Sequence, residues 1–219
     1  MEFSPEALFS AFIVVATMLL VGFPVHEALH AWTAMKLGDN TARWMGRVSL
    51  DPRVHLDQLG ALVLGITALF SAVGGGILFG WAKPTPVNPL NMRYGRQGHA
   101  LVAFAGPASN LVVAVVVAIP LRLIIDNPDW LRTVFDEPLL RLFFDATELL
   151  LRLNILLFIF NLLPIPPLDG SRALIAVVQR LSGDRISAAT ERMVYFTGWV
   201  ALMVFIVIVT ISDIQGLLE

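Results

Sequence analysis

The sequence predicts an all-α integral membrane protein with about four to five transmembrane helices and one re-entrant Gly/Pro-rich segment folded as a short β-like hairpin. Three observations predict this. First, the 219 residues are 57% hydrophobic and 15% charged, where a soluble domain carries roughly 25% charged residues. Second, apolar runs occupy about 7–36, 58–80, 98–125, 139–163 and 193–213, and several reach the roughly 20 residues needed to cross a bilayer. Third, the second run ends in Gly74-Gly75-Gly76 and continues through Phe79-Gly80-Trp81-Ala82-Lys83-Pro84-Thr85-Pro86-Val87-Asn88. Consecutive glycines and alternating prolines suit extended backbone better than helix.

The first run reads as a retained span. Residues 1–6 carry Glu2 and Glu6 in place of the positive region of a cleaved signal, and the run continues into the motif described next. Pro24 sits inside it and is expected to kink the helix or free a carbonyl. Polar or Pro/Gly-rich stretches separate the runs, and no repeat or linker divides the chain, so residues 1–219 are expected to form a single membrane-embedded domain. No basic cluster suggests nucleic acid. The absence of cysteine restricts any metal site to histidine and carboxylate ligands.

The first run carries His26-Glu27-Ala28-Leu29-His30. Two histidines four residues apart lie on one helical face within reach of a single ion, and Glu27 is placed to meet a water there rather than the ion. In such a site zinc lowers the pKa of water towards about 7, while the carboxylate takes the proton. The alternative is a helix whose histidines merely pack. That is costly inside hydrocarbon, where ionisable side chains pair, bind ions or line wet cavities.

A hydrolytic zinc site uses three protein ligands plus water. His55 and His99 are the remaining histidines, both in connecting segments, and Asp169 follows the fourth run. Locally, Asp169 reads equally well as a turn or helix-capping aspartate before Ser171. Arg152, isolated in an apolar run, is expected to snorkel or to pair with Glu148. Asn110, after Gly106-Pro107, is expected chiefly to pack between helices. His55 and Asp57 read as interfacial and structural.

Joined to Asn161-Leu162-Leu163-Pro164 and Leu168-Asp169-Gly170 after a later run, this motif resembles the site-2 protease family of intramembrane zinc metalloproteases. Further matches are Gly106-Pro107-Ala108-Ser109-Asn110, Phe79-Gly80-Trp81-Ala82-Lys83-Pro84 and Pro86-Val87-Asn88, which are similar to the small prokaryotic branch without a PDZ domain. The resemblance covers about residues 20 to 180. It implies that His26, His30 and Asp169 are the zinc ligands and Glu27 the catalytic glutamate. It also implies that Asn161 stabilises an oxyanion or holds substrate. Gln58, where relatives often have proline, and Ser171, where many have glycine, depart from the pattern without touching a proposed ligand.

Three ligands of one ion must share one depth. If all five runs crossed, Asp169 would lie across the membrane from the histidines. If the second run is re-entrant instead, the site can form. The cations then collect on the side of the site, leaving Arg122, Arg132 and Arg141 opposite among acidic residues, whereas five crossings would divide them evenly. Cationic loops stay in the cytoplasm, so the expectation is a multi-pass cell-membrane protein with its site towards the cytoplasm.

The expected function is an intramembrane zinc endopeptidase acting on membrane-spanning or membrane-tethered proteins. The competing expectation is a membrane metal transporter or metal sensor using the same His/Asp site, which has no need of Glu27 as a non-ligand. The expected cofactor is Zn2+. The expected partners are a membrane-protein substrate, the lipid bilayer, and a regulatory membrane protein or a second copy of the chain.

Overall fold

The computed structural model describes residues 5–72, 77–183 and 186–218. The glycines expected to turn the re-entrant segment, Gly74–Gly76, lie outside the described residues, as do Glu2 and Arg185. Among the described residues every regular element is helical.

Helix α1 (Pro5–Thr17) leads through a single π-helical stretch (Met18–Gly22) into α2 (Phe23–Lys36). Pro24 supplies the reason for the irregularity. It has no N–H for the carbonyl one turn back, and the wider π-turn lets the Phe23 N–H reach Met18 O instead. Such π-bulges concentrate at functional sites, and this one sits immediately before His26. The expected kink is a local widening, and the two helices continue as one span.

Two short helices, α3 (Thr41–Trp44) and α4 (Pro52–His55), precede α5 (Gln58–Ala72). With 15 residues, α5 is about 22 Å long, short of a hydrocarbon core of about 30 Å. The chain then comes back alongside it. Thr67 Oγ1 donates to Phe79 O at 2.7 Å and lies 3.0 Å from the Phe79 N–H. Gly60 and Gly80 allow this close return, because a Cβ on Gly60 would lie 2.2 Å from Trp81 O and one on Gly80 would lie 2.5 Å from Leu64 Cβ. The Lys83 N–H finally donates to His55 O at 2.8 Å. His55 and Lys83, which flank this stretch, thus lie side by side.

The β-like hairpin expected here is not formed among the described residues, since residues 77–88 make no strand ladder. Pro84 and Pro86 cannot donate, and the other bonds go to the Thr67 side chain, His55 O and, as described below, Glu27 and Asp39.

Helix α6 (Gly95–Asp126) is the centre of the molecule and packs against α2, α8 (Glu137–Leu162) and α9 (Asp169–Ser182); α7 (Pro128–Val134) links it to α8. Its buried face carries Ala103, Gly106, Pro107, Ser109 and Asn110, small residues that let helix backbones approach closely in a membrane. The last helix is α10 (Ala188–Leu218). Among the described residues three segments are long and apolar enough to cross a bilayer: Leu8–Lys36, Gly95–Asp126 and Ala189–Ser212. Helix α8 is comparably long but carries charge in its first half. There Arg141 pairs with Glu137 at 3.1 Å and Arg152 with Glu148 at 2.6 Å, the second as expected.

Candidate metal centre

Helix α2 presents His26 and His30 on one face against α6. Each ring is oriented by the atom behind it. His26 Nδ1–H donates to Asn110 Oδ1 at 2.7 Å, and His30 Nδ1–H donates to Val102 O at 2.7 Å. A carbonyl oxygen only accepts, so both Nδ1 atoms carry a proton, and in the neutral ring each Nε2 is the atom left with a lone pair for a metal. Asp169, first residue of α9, brings Oδ2 to 3.1 Å from each Nε2, and the two Nε2 atoms are 3.0 Å apart. All three side chains are buried.

Three buried acceptors in mutual contact repel one another unless a cation lies among them. Points 3.0–3.1 Å apart lie on a circle of radius about 1.8 Å, within the 2.0–2.2 Å reach of zinc bonds to His nitrogen and carboxylate oxygen. A second observation concerns Gly106 on α6. A Cβ there would lie 2.3 Å from His30 Nε2 and 2.7 Å from His26 Nε2, so glycine keeps open the space onto which both lone pairs face. The donor set and the open cradle fit zinc.

Glu27 belongs to the same cluster, with a carboxylate oxygen within 4.8 Å of the histidine nitrogens. It is held apart from the triad. The Thr85 N–H donates to Glu27 Oε2 at 2.8 Å, and Thr85 Oγ1 donates to the Glu27 backbone carbonyl at 3.1 Å. The returning Gly/Pro segment therefore orients this carboxylate. That segment is anchored in turn by Asp39, a buried residue not singled out from the sequence. Its carboxylate accepts from the Thr41 N–H, the Asn88 N–H at 2.7 Å and Asn91 Nδ2 at 3.2 Å. Burial alone would raise the pKa of Asp39, but these hydrogen bonds outweigh it and hold the carboxyl below its ordinary value.

Asn110 does more than pack. It accepts from His26 and donates through Nδ2 to Asn154 Oδ1 at 3.0 Å, and Asn154 donates to Leu150 O at 2.8 Å. Both asparagines are fully buried. Asn154 was missed in the sequence, although an asparagine in an apolar run, seven residues before Asn161, was a usable signal. Those two share one face of α8 two turns apart. Asn161 donates to Leu157 O at 2.9 Å.

The other expected residues are placed elsewhere. His55 is buried and donates to Ser49 O at 2.7 Å, while Asp57 accepts from the Gly60 N–H at the start of α5. His99 lines a cavity beside the triad. Asp169 meets the histidines because Gly170 lets α9 start against the end of α8, where a Cβ would lie 2.2 Å from Leu162 O.

Residues 140–205 match the family model described as peptidase family M50. The chain is 38% identical over 154 residues to YwhC of Bacillus subtilis, assigned by name to the zinc metalloproteases, covering 70% of this chain and 64% of that protein. The chain thus carries a match to peptidase family M50 and is similar to relatives named as zinc metalloproteases. It is also 34% identical over 170 residues to Rip2 of Mycobacterium tuberculosis, likewise assigned by name to the zinc metalloproteases, covering 78% of this chain and 59% of Rip2. A shorter stretch of 65 residues is 45% identical to the regulator of sigma-W protease RasP of Bacillus subtilis, covering 30% of this chain and 15% of RasP. The chain thus spans less than two thirds of the length of these relatives. No solved structure matches it. With three crossing-length helices among the described residues and its match to peptidase family M50, this chain is a multi-pass membrane protein.

Proposed function

We propose that the chain is an intramembrane zinc endopeptidase of the cell membrane, hydrolysing peptide bonds of membrane-spanning or membrane-tethered proteins. His26, His30 and Asp169 hold the metal and Glu27 is the general base. The observation that carries this reading is the convergence of three buried side-chain atoms, two histidine Nε2 and one carboxylate oxygen, within 3.1 Å of one another, with a second carboxylate held beside them. Bound there, zinc would supply Lewis acidity towards a water and the scissile carbonyl.

The remaining work falls to the chain itself. Glu27, oriented by the Thr85 N–H, accepts a proton from the attacking water and delivers it to the leaving amide nitrogen. Asn161 spends one amide N–H on Leu157 O and has a second to offer a developing oxyanion. A helical substrate is sterically closed to attack and must be extended first. Residues 77–88, free of any ladder, offer an edge that such a strand joins by β-addition.

In this reading α5 and its return are re-entrant, α8 completes the crossings, and the site lies towards the cytoplasm. The hydrogen bond between His55 and Lys83 supports the first point. The position of Asp169 beside His26 supports the parity. The excess of arginine and lysine at that end supports the orientation. Irregular backbone at membrane depth is tolerated where it is packed on protein or lines a cavity, and the segment packs on α5.

A transporter or sensor would use the same triad but gives Glu27 no task. The test is Glu27→Gln in purified protein with a single-span peptide substrate. Cleavage lost with zinc content retained is the expected result. Unaffected cleavage, or zinc flux in the absence of any cleavage, would reject the reading.

A further inference from the structure

A cavity of about 1080 Å³ opens where α6 and α10 begin, between α9 and residues 85–97. It is at the upper end of ligand-site volumes, with room for a few residues of extended chain. It is continuous with the metal centre at two points. Thr85, which orients Glu27, forms one wall, and Arg172, whose Nη1 is 3.4 Å from Asp169 Oδ1, forms another.

The lining is strongly cationic. Arg96 is occupied, bonded to Gln179 Oε1, Ile186 O and Glu191, so the acidic side chain in the wall is already matched. Arg180 and Arg192 also line the cavity, and neither has an acidic partner among the described residues. Gln179 Nε2 is buried with no hydrogen-bond partner among the described residues. It is a donor in want of an acceptor.

Helix α9 divides cleanly. Arg172, Ala176, Gln179 and Arg180 face the cavity, while Leu174, Val177, Val178 and Leu181 on the other face are exposed. That is the pattern of a helix lying in the membrane interface with its apolar side in lipid. Its polar side is thereby turned away from the hydrocarbon and towards a wet chamber.

Resting on the protease reading, we infer that this cavity receives the segment of substrate that continues out of the membrane beyond the cleavage point, and that it selects acidic side chains there. Carboxylates satisfy what the walls lack among the described residues: acidic partners for two arginines and an acceptor for one amide donor. Arg172 joins the two sites, with its guanidinium against Asp169 on one side and the cavity on the other.

The experiment measures binding separately from cleavage. Glu27→Gln protein in neutral detergent is titrated with fluorescent single-span peptides that differ only by Asp/Glu or Asn/Gln in the emerging segment. The acidic peptide is expected to bind about tenfold more tightly, as two partly exposed ion pairs at the upper end of their range would give, and less selectively at high salt. The preference is expected to vanish in Arg180→Gln/Arg192→Gln and to invert towards a lysine peptide in Arg180→Glu/Arg192→Glu. Equal affinities, or a preference that survives both double variants, would overturn the inference. So would phosphatidylglycerol co-purifying in an Arg180- and Arg192-dependent way without peptide discrimination, which would make this a lipid-headgroup site. Cleavage of the same peptides by the unsubstituted protein reports separately. Cleavage without charge preference removes only this inference, while charge-selective binding without cleavage removes the protease reading.

Discussion

His26 donates to Asn110 at 2.7 Å, and the fixed direction of that bond decides which ring nitrogen is left for a metal. The amide of Asn110 is fixed in turn by Asn154 at 3.0 Å, so one histidine is oriented through two helices in series. Partners of this kind hold metal ligands in place, and their loss typically weakens metal affinity by about 10–100-fold. Asn154→Ala is therefore expected to weaken zinc binding in this range, measured by competition with a chromophoric chelator, with helix content unchanged by circular dichroism. Asn154→Asp, whose carboxylate can still accept from Asn110, should recover much of it. Unaltered affinity in Asn154→Ala would show that Asn110 needs no support from α8.

Gly106→Ala makes a sharper demand. Its methyl would sit 2.3 Å from His30 Nε2, far inside contact distance, and would occupy the space onto which the lone pairs open. Zinc content by mass spectrometry of the purified protein is expected to fall to a small fraction of stoichiometric. Gly65→Ala, on α5 with nothing within 4 Å of the new Cβ, serves as the comparison and should bind normally.

Thr85 holds the general base through a backbone donor, so proline is the informative replacement. Thr85→Pro deletes the N–H that meets Glu27 Oε2 and should lower kcat by about 10–100-fold, a part of the roughly 10²–10⁴-fold that a positioned acid–base group contributes, while zinc content stays stoichiometric. Thr85→Ala retains that N–H and loses only the hydroxyl contact to the Glu27 carbonyl, and should cost much less. Equal losses would mean that the hydroxyl, not the amide, matters.

Asp39 gives the pH dependence. Its carboxyl is held below the ordinary value of 3.8 by donors from Thr41, Asn88 and Asn91. A depressed folded-state pKa contributes stability that is fully present above the unfolded value and lost as pH falls through the folded one. Protection of the Asn88 amide, the slowing of its hydrogen exchange relative to the intrinsic rate at each pH, should therefore be high at neutral pH and fall as the pH drops below about 4, where the unfolded reference lies. In Asp39→Asn the protection should be low at neutral pH and should change little with acid. An acid-insensitive Asn88 in the unsubstituted protein would refute the anchor.

Much of this was legible in the sequence because hydrocarbon allows few exceptions. The apolar runs gave the helices, and the His26/His30 spacing gave one helical face. The family resemblance pointed to Asp169 against a neutral local reading, and the requirement of common depth then led to the re-entrant second run. What stayed hidden depends on partners far along the chain. Nothing near Asp39 announces that it will bind Asn88, and the role of Asn110 needed Asn154 opposite it. The β-like hairpin was expected from glycine and proline content. Such residues do favour extended backbone, but Pro84 and Pro86 also remove ladder donors. The segment is held instead by Thr67, His55, Glu27 and Asp39.

The hydrogen bond from Lys83 to His55 has a last consequence. On the re-entrant reading proposed above, the stretch between those residues is an excursion held at its mouth, so its reach and its attachment are independent variables. One helical turn taken from α5, with the matching residues taken from the return, would make the excursion shallower without moving Thr85 or the carboxylate it steers. Related chains can thus differ in how deeply this segment probes the bilayer, adapting to membranes of different thickness while leaving the catalytic end untouched.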